Sequence, residues 1–280
     1  MNEHIAVKRK MERERCNEAA GRTVAPLRVG YINAANYWGA PIPPNCALPQ
    51  DLVHVSVPES GMRKQVKGVA FHVFQGKEEY YKREYERFWV ASPAMMWAQM
   101  GRYCNVEELA AIGAALTSRD RRRKVTTLQE LGKYVEASPK FTGRGKCLAA
   151  LPYITENTDS PPETSLYGML NDSGLGRPIA NYRVDLDNGV YYLLDMAYPD
   201  CMVAFEYQGA YHADVGQMQA DAVRINALQE KGWIIILVTA YDLRTPAARQ
   251  DLIAVARTIV TRQRHLAAFY RSMVTANGSQ

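Results

Sequence analysis

Residues 190–208 read VYYLLDMAYPDCMVAFEYQ. Two apolar runs, 190–198 and 202–208, flank Pro199, Asp200 and Cys201. A connection that short makes the runs read as hairpin partners. Each carries one carboxylate in apolar company, Asp195 in the first and Glu206 in the second. A buried, unpaired charge is costly, so each acid either has a partner or marks a site.

The pattern extends in both directions. Downstream, a short loop (209–214) leads to a helix over 215–231 ended by Gly232. The wholly apolar run WIIILVTA (233–240) then reads as a strand, and PAARQDLIAVARTIVTRQRHLAAFYRSM (246–273) as a long amphipathic helix. Upstream, Ser160-Pro161-Pro162-Glu163 opens a helix that runs to Ser173 and stops at Gly174. IANYRVDL (179–186) is a strand, closed by an Asp187-Asn188-Gly189 turn. The order is α-β-β-β-α-β-α. A strand that returns after a crossover helix predicts an α/β fold: a mixed sheet with one parallel pair and helices on both faces.

The proline- and acid-rich stretch ENTDSPPE (156–163) predicts the joint between this domain, 156–280, and what precedes it. Residues 28–155 predict an α+β domain. LVHVSVPES (52–60) alternates as a strand and GVAFHVFQG (68–76) is its partner. A short helical piece precedes Gly39, two helices separated by Gly101 lie within 91–118, and a Thr126-x-x-Gln129 start opens a helix over 126–138. Residues 1–27 form a charged helix expected to lie exposed.

Composition narrows the function. Residues 1–150 hold 24 Lys+Arg against 15 Asp+Glu, and residues 151–280 hold 10 against 14. A basic half of this kind suits a polyanionic partner. The five cysteines, Cys16, Cys46, Cys104, Cys147 and Cys201, form no CxxC pair, which supports neither a disulfide framework nor a zinc knuckle. No run reaches the roughly 18–20 apolar residues of a membrane span. The first 21 residues are charged throughout, with no apolar signal core, so a cytoplasmic protein without membrane attachment is expected.

Paired strands bring Asp195 and Glu206 together, where two carboxylates repel unless a cation lies between them. A few hard oxygen ligands suit Mg²⁺ or Mn²⁺, and such an ion can assist phosphodiester hydrolysis. Glu163 can add a third acid. Gln208 shares a sheet face with Glu206, and His212 follows in the loop. Each has a plainer account. Ser160-x-x-Glu163 is also a capping box, Asp195 can cap a strand end, Glu206 can pair with Arg224, and His212 can be a solvated loop residue. The basic run Arg119–Lys124, with Arg121, Arg122 and Arg123, is either a phosphate-binding element or a solvated inter-helix loop.

Four blocks, SPPETSLYGML, LLDMAYPDCMVAFEYQGAYH, DAVRINALQEKGWIIILVT and the following DL, resemble the very-short-patch-repair-like endonuclease domain, a branch of the PD-(D/E)XK nuclease superfamily. The resemblance covers about 156–245 and implies a restriction-endonuclease-like fold. It makes Glu163 the helix acid, Asp195 the central metal-ligand aspartate and Glu206 the acid of the (D/E)XK element. His212 becomes the histidine of this branch, and Asp221 and Arg224 a D-x-x-R pair. Arg224 would contact phosphate or hold an active-site acid. Gln208 stands where the superfamily often carries a lysine, although members of this branch often lack it too. A glutamine can donate a hydrogen bond but brings no charge.

In the first half, NAANYWGAPIP, VHVSVP, the strand containing His72 and VASPAMMWAQM resemble the AbiEi-like antitoxins of type IV toxin–antitoxin systems. There, such a segment follows a winged helix-turn-helix. Residues 1–30 are too short for that module, which is expected to be truncated or absent. The resemblances imply two expectations: a DNA endonuclease, or a non-catalytic DNA-binding antitoxin that keeps the nuclease scaffold. DNA and a cognate toxin are the implied partners.

Overall fold

A computed structural model describes residues 2–156, 160–187, 189–209 and 215–277. The chain divides into two compact units, Met1–Pro161 and Pro162–Gln280. Helices combine with two mixed sheets, which is the expected α/β and α+β class. Among the described residues no helix is long and apolar enough to cross a membrane.

The first unit holds α1 (Asn2–Ala20), β1 (Leu27–Val29), α2 (Tyr31–Trp38), β2 (Val53–Val57), β3 (Val69–Val73), β4 (Tyr80–Tyr81) and β5 (Phe88–Ala91). Helices α3 (Pro93–Met100), α4 (Val106–Leu116), α5 (Leu128–Ala137) and α6 (Arg144–Ala150) follow. Its sheet runs β3-β2-β1-β5-β4. β2 and β3 are partners as expected, in parallel, with Val53 opposite Val69 and Val57 opposite Val73. The helix break falls at Gly101, as expected. The α5 capping box uses Thr127 and Glu130, one residue later than the expected Thr126 and Gln129.

The expectation of a separate, exposed helix over 1–27 fails. Cys16, Ala19, Ala20 and Glu12 form a buried stripe on α1, spaced so that one helix face docks into the core of the unit. The stripe is built from small residues and one acid, so hydropathy hides it. Glu12 is satisfied within the fold: its Oε1 accepts from Asn33 Nδ2 at 2.6 Å and its Oε2 from Asn36 Nδ2 at 2.8 Å. Both amides belong to the NAAN segment of α2.

The second unit holds α7 (Pro161–Asp172), β6 (Ile179–Asp185), β7 (Tyr191–Tyr198), β8 (Val203–Gln208), α8 (Val215–Glu230), β9 (Ile234–Thr239), α9 (Ala240–Arg244) and α10 (Pro246–Asn277). The sheet order is β6-β7-β8-β9. The first two pairings are antiparallel and β8 pairs with β9 in parallel, as the crossover helix predicts. The period-2 alternation sorts side chains onto two faces. Met196, Tyr198, Val203 and Phe205 pack with Leu166 and Leu170 of α7 and Ala256 and Val260 of α10. Ala197 and Ala204 pack with Leu228 of α8 and Trp233.

In β6 and β7 this sorting changes partway along. Ala180 and Met196 belong to the α7/α10 face, whereas Tyr182 and Leu194, two residues away, belong to the α8 face. Residues two apart in a regular strand share a face, so both strands are reoriented between these positions. Asn181, with a left-handed φ of 50°, sits at the change in β6. By register its opposite number in β7 is Asp195, and that pair is missing from the ladder.

Candidate functional site

The irregularity at Asp195 extends to the other neighbouring strand. The β7–β8 bridges run through Tyr198–Val203, Ala197–Ala204 and Met196–Phe205 and stop. The next pair in register is Asp195 and Glu206. Their carboxylates replace the missing backbone bonds: the Asp195 amide donates to Glu206 Oε1 at 3.2 Å, and the Tyr207 amide donates to Asp195 Oδ2 at 2.8 Å. The strands are thus joined at this point by two acids, each reaching across to the backbone of the facing strand. A charged acceptor makes such bonds stronger than a neutral one would.

Glu206 is 3% exposed. It shares strand parity with Ala204 and so lies on the α8 face. There Arg224 Nη2 of α8 donates to Glu206 Oε2 at 3.0 Å, while Arg224 Nε lies 3.9 Å from Asp221 Oδ1. Burial pushes the Glu206 carboxyl above its ordinary pKa. The Arg224 charge and hydrogen bond and the Asp195 amide oppose that rise, and the negative charge of Glu163 adds to it. Glu163, in the first turn of α7, is therefore within electrostatic reach of Glu206.

The structure thus gathers Asp195, Glu206 and Arg224 and brings Glu163 near. Gln208 ends β8 two residues beyond Glu206, opposite Thr239. His212 lies outside the described residues. Of the two roles implied for Arg224, the structure realises the holding of an acid. Arg121, Arg122 and Arg123 belong to the first unit, in the connection between α4 and α5, where Arg122 pairs with Asp120 at 3.3 Å. Among the described residues, no three His, Cys, Asp or Glu side chains gather to hold a metal ion. The acid set described is therefore a pair.

The first unit contains a polar chain that the strand patterns did not single out. His54 Nε2 lies 2.8 Å from the Pro49 carbonyl, His54 Nδ1 2.7 Å from His72 Nε2, and His72 Nδ1 3.1 Å from the Tyr103 hydroxyl. A carbonyl only accepts, so with both rings neutral the tautomers follow in sequence. His54 donates to Pro49, His72 donates to His54, and Tyr103 donates to His72. Tyr31 packs against His72, with ring centroids 4.6 Å apart. The parallel pairing of β2 with β3 places the two imidazoles side by side. In sequence they are only two histidines in two alternating strands, which is why the chain could not be read there.

Burial lowers the pKa of both rings, His72 to about 4, and the charge of His54 lowers His72 further. The unfolded chain takes up these protons near pH 6.5, whereas folded His72 does so only near pH 4 and folded His54 below its ordinary value. The unfolded state therefore binds more protons between about pH 6.5 and 4, and stability falls as pH is lowered through that window. Allowing for the partial exposure of His72, the loss is about 1–2 kcal/mol. Melting temperatures taken from pH 7.5 to 4.5 should fall accordingly. His72→Gln keeps a donor and an acceptor but cannot titrate, and should flatten the slope by about half. An unchanged slope would remove His72 from the account.

No family model matches the chain, and no solved structure matches it. Two proteins of Mycobacterium tuberculosis, one from strain CDC 1551 / Oshkosh and one from strain ATCC 25618 / H37Rv, are each 32% identical to it over 111 residues, and both are described as uncharacterized. The match covers 38% of this chain and 41% of each relative, so the chain spans less than half the length of the curated relatives it matches.

Proposed function

We propose that the second unit is a metal-dependent, restriction-endonuclease-like module that hydrolyses phosphodiester bonds in DNA, within a toxin–antitoxin or phage-defence system. The observation that carries this reading is the Asp195–Glu206 pair, two acids fixed at facing positions where the β7–β8 ladder ends. Asp195 and Glu206 would hold Mg²⁺ or Mn²⁺. They offer hard oxygen donors, and Glu206 is a buried acid whose raised pKa a nearby cation would relieve. When bound, the ion supplies Lewis acidity at a phosphate oxygen and lowers the pKa of a coordinated water. Arg224 fixes the Glu206 carboxylate. Gln208, on the same face, can donate an amide hydrogen bond to a phosphate oxygen. Glu163 adds negative charge that strengthens cation binding.

A second reading has its own support. Arg224 already supplies a cation to Glu206, and Gln208 brings no charge. Both suit a DNA-binding protein that keeps the scaffold without catalysis. One experiment separates the two. The full chain and Asp195→Ala are incubated with single- and double-stranded DNA and Mn²⁺ or Mg²⁺. Cleavage that Asp195→Ala lowers about 10²-fold or more supports the endonuclease. Cleavage by both proteins, or by neither, overturns it. DNA binding without cleavage, weakening steeply with salt, supports the second reading.

A further inference from the structure

The first unit contains a cavity of about 410 Å³ whose wall carries Arg9, Lys10, Arg13, Arg83, Arg122 and Arg123 and no acidic side chain. These cations come from α1, from the β4–β5 connection and from the basic run after α4. Three are offset nearby: Arg13 by Glu86 at 2.8 Å, Lys10 by Glu14 at 4.0 Å and Arg122 by Asp120 at 3.3 Å. Among the described residues, the guanidiniums of Arg9, Arg83 and Arg123 have no carboxylate partner, although the Arg83 backbone amide donates to Glu86 Oε2 at 3.3 Å. We infer that this cavity binds a compact, multiply charged phosphate group, such as the di- or triphosphate of a small molecule.

Two observations separate this cavity from a solvated basic face. The first is preorganisation. Arg9 Nη2 donates to the Trp38 carbonyl, and its guanidinium lies against Gly39, where an added Cβ would come within 2.7 Å of Arg9 Nε. Arg83 lies over the Tyr37 ring, 5.5 Å from its centroid. The Arg9 fork is therefore held in place before any ligand arrives, and Arg83 rests on an aromatic face, which reduces the ordering cost of binding.

The second is unrelieved cost. Arg9 Nε is buried with no hydrogen-bond partner. Burial, followed by the charges of Arg123 and Arg83, lowers the Arg9 pKa. A fold gains nothing from crowding unpaired guanidiniums, and an anion in the cavity offsets their mutual repulsion. The volume lies within the range of small-ligand pockets, roughly 300–1,000 Å³. Charge drawn into one cavity from several chain segments suits a compact group better than an extended strand. The Tyr37 and Trp38 side chains in the same wall can take the organic part of such a molecule.

The test uses the full chain and inorganic tripolyphosphate, titrated calorimetrically at constant ionic strength, with sulfate as the monomeric dianion. Tripolyphosphate should bind at least about tenfold more tightly than sulfate. Arg123→Gln should weaken binding about tenfold or more while raising the melting temperature of the free protein, because it relieves the repulsion. Arg121→Gln lies in the same basic run but outside the cavity wall, and should leave binding unchanged. Arg9→Gln should behave as Arg123→Gln in binding. If it fails to fold, Arg123→Gln carries the test alone. ATP and an unphosphorylated DNA duplex serve as competitors. Displacement by ATP supports the assignment. Stoichiometric displacement by the duplex with the same arginine dependence would make the cavity part of a backbone track and overturn it. Absence of millimolar tripolyphosphate binding, or equal losses in Arg121→Gln and Arg123→Gln, would do the same.

Discussion

Arg224→Ala is expected to destabilise the protein by about 3–5 kcal/mol, because it leaves the buried Glu206 carboxylate without its cation. The side chain of Glu206 is 4% exposed and that of Arg224 20%. Removing the arginine therefore strands a charge that water cannot reach. Removing the acid instead leaves a guanidinium that is partly solvated and still has Asp221 beside it. Glu206→Gln should accordingly cost less than Arg224→Ala, and the double variant should recover much of the loss. The pH dependence has a definite sign. The folded pKa of Glu206 is already above its ordinary value. Its contribution is therefore most favourable below the ordinary glutamate range and is lost as pH rises through the folded pKa. Without Arg224 that pKa rises further, so the variant should come closest to wild type near pH 5 and be weakest near pH 8. Calorimetric melting of the four proteins across that range is the measurement. A loss of roughly 10 °C at pH 8 is expected. A loss of only about 2 °C, independent of pH, would show that Glu206 does not depend on Arg224. If the pair also serves a metal, Mn²⁺ should raise the melting temperature of Arg224→Ala more than that of wild type.

The Asp195–Glu206 pair was legible in the sequence because every step toward it is local. VYYLLDMAY and MVAFEYQ alternate, three residues join them, and an antiparallel register follows that sets Asp195 opposite Glu206. The parallel return of β9 is legible for a similar reason, since a helix of crossover length separates it from β8. What escaped was non-local or carried no hydropathy signal. Asn181 adopts a left-handed backbone in mid-strand, and nothing in IANYRVDL distinguishes it from an ordinary strand residue. α9 is a single capped turn: its box, Thr239 with Asp242, was readable as Thr-x-x-Asp but adjoins a strong apolar strand. The buried stripe of α1 consists of Glu12, Cys16, Ala19 and Ala20, which a helix of mixed charge conceals. The basic run 119–124 was visible as charge. That its arginines line a cavity with Arg9 depends on bringing together segments more than a hundred residues apart.

Gly143→Ala is the second large effect, at about 3 kcal/mol or more, and it concerns the core of the first unit. Gly143 caps the N-terminus of α6 with φ 95° and ψ −3°. An L-residue there carries about 1–2 kcal/mol of backbone strain before any contact is counted. A Cβ would also lie 2.5 Å from the Gly101 oxygen and 2.6 Å from the Arg102 nitrogen. Both are backbone atoms, with no rotamer to give way. The relation is mutual, since a Cβ on Gly101 would come within 2.7 Å of Cys147 Sγ and 3.0 Å of the Gly143 oxygen. Two chain segments therefore meet at this point because neither glycine carries a side chain. The segment that would have to move continues directly from α3, where Met95, Met96, Trp97, Ala98 and Met100 are all 0% exposed. Displacing it would loosen a close-packed core instead of a loop. Gly145 provides the control. It lies two residues further on, inside α6, and a Cβ there would meet nothing within 4 Å. Gly145→Ala should be neutral or stabilising by about 0.5–1 kcal/mol. In urea denaturation Gly143→Ala should lower the midpoint and Gly145→Ala should leave it unchanged or raise it, both with an unchanged slope. If Gly143→Ala were as mild as Gly145→Ala, the close approach of α6 to the end of α3 would not hold, and the buried thiol of Cys147 would need another explanation.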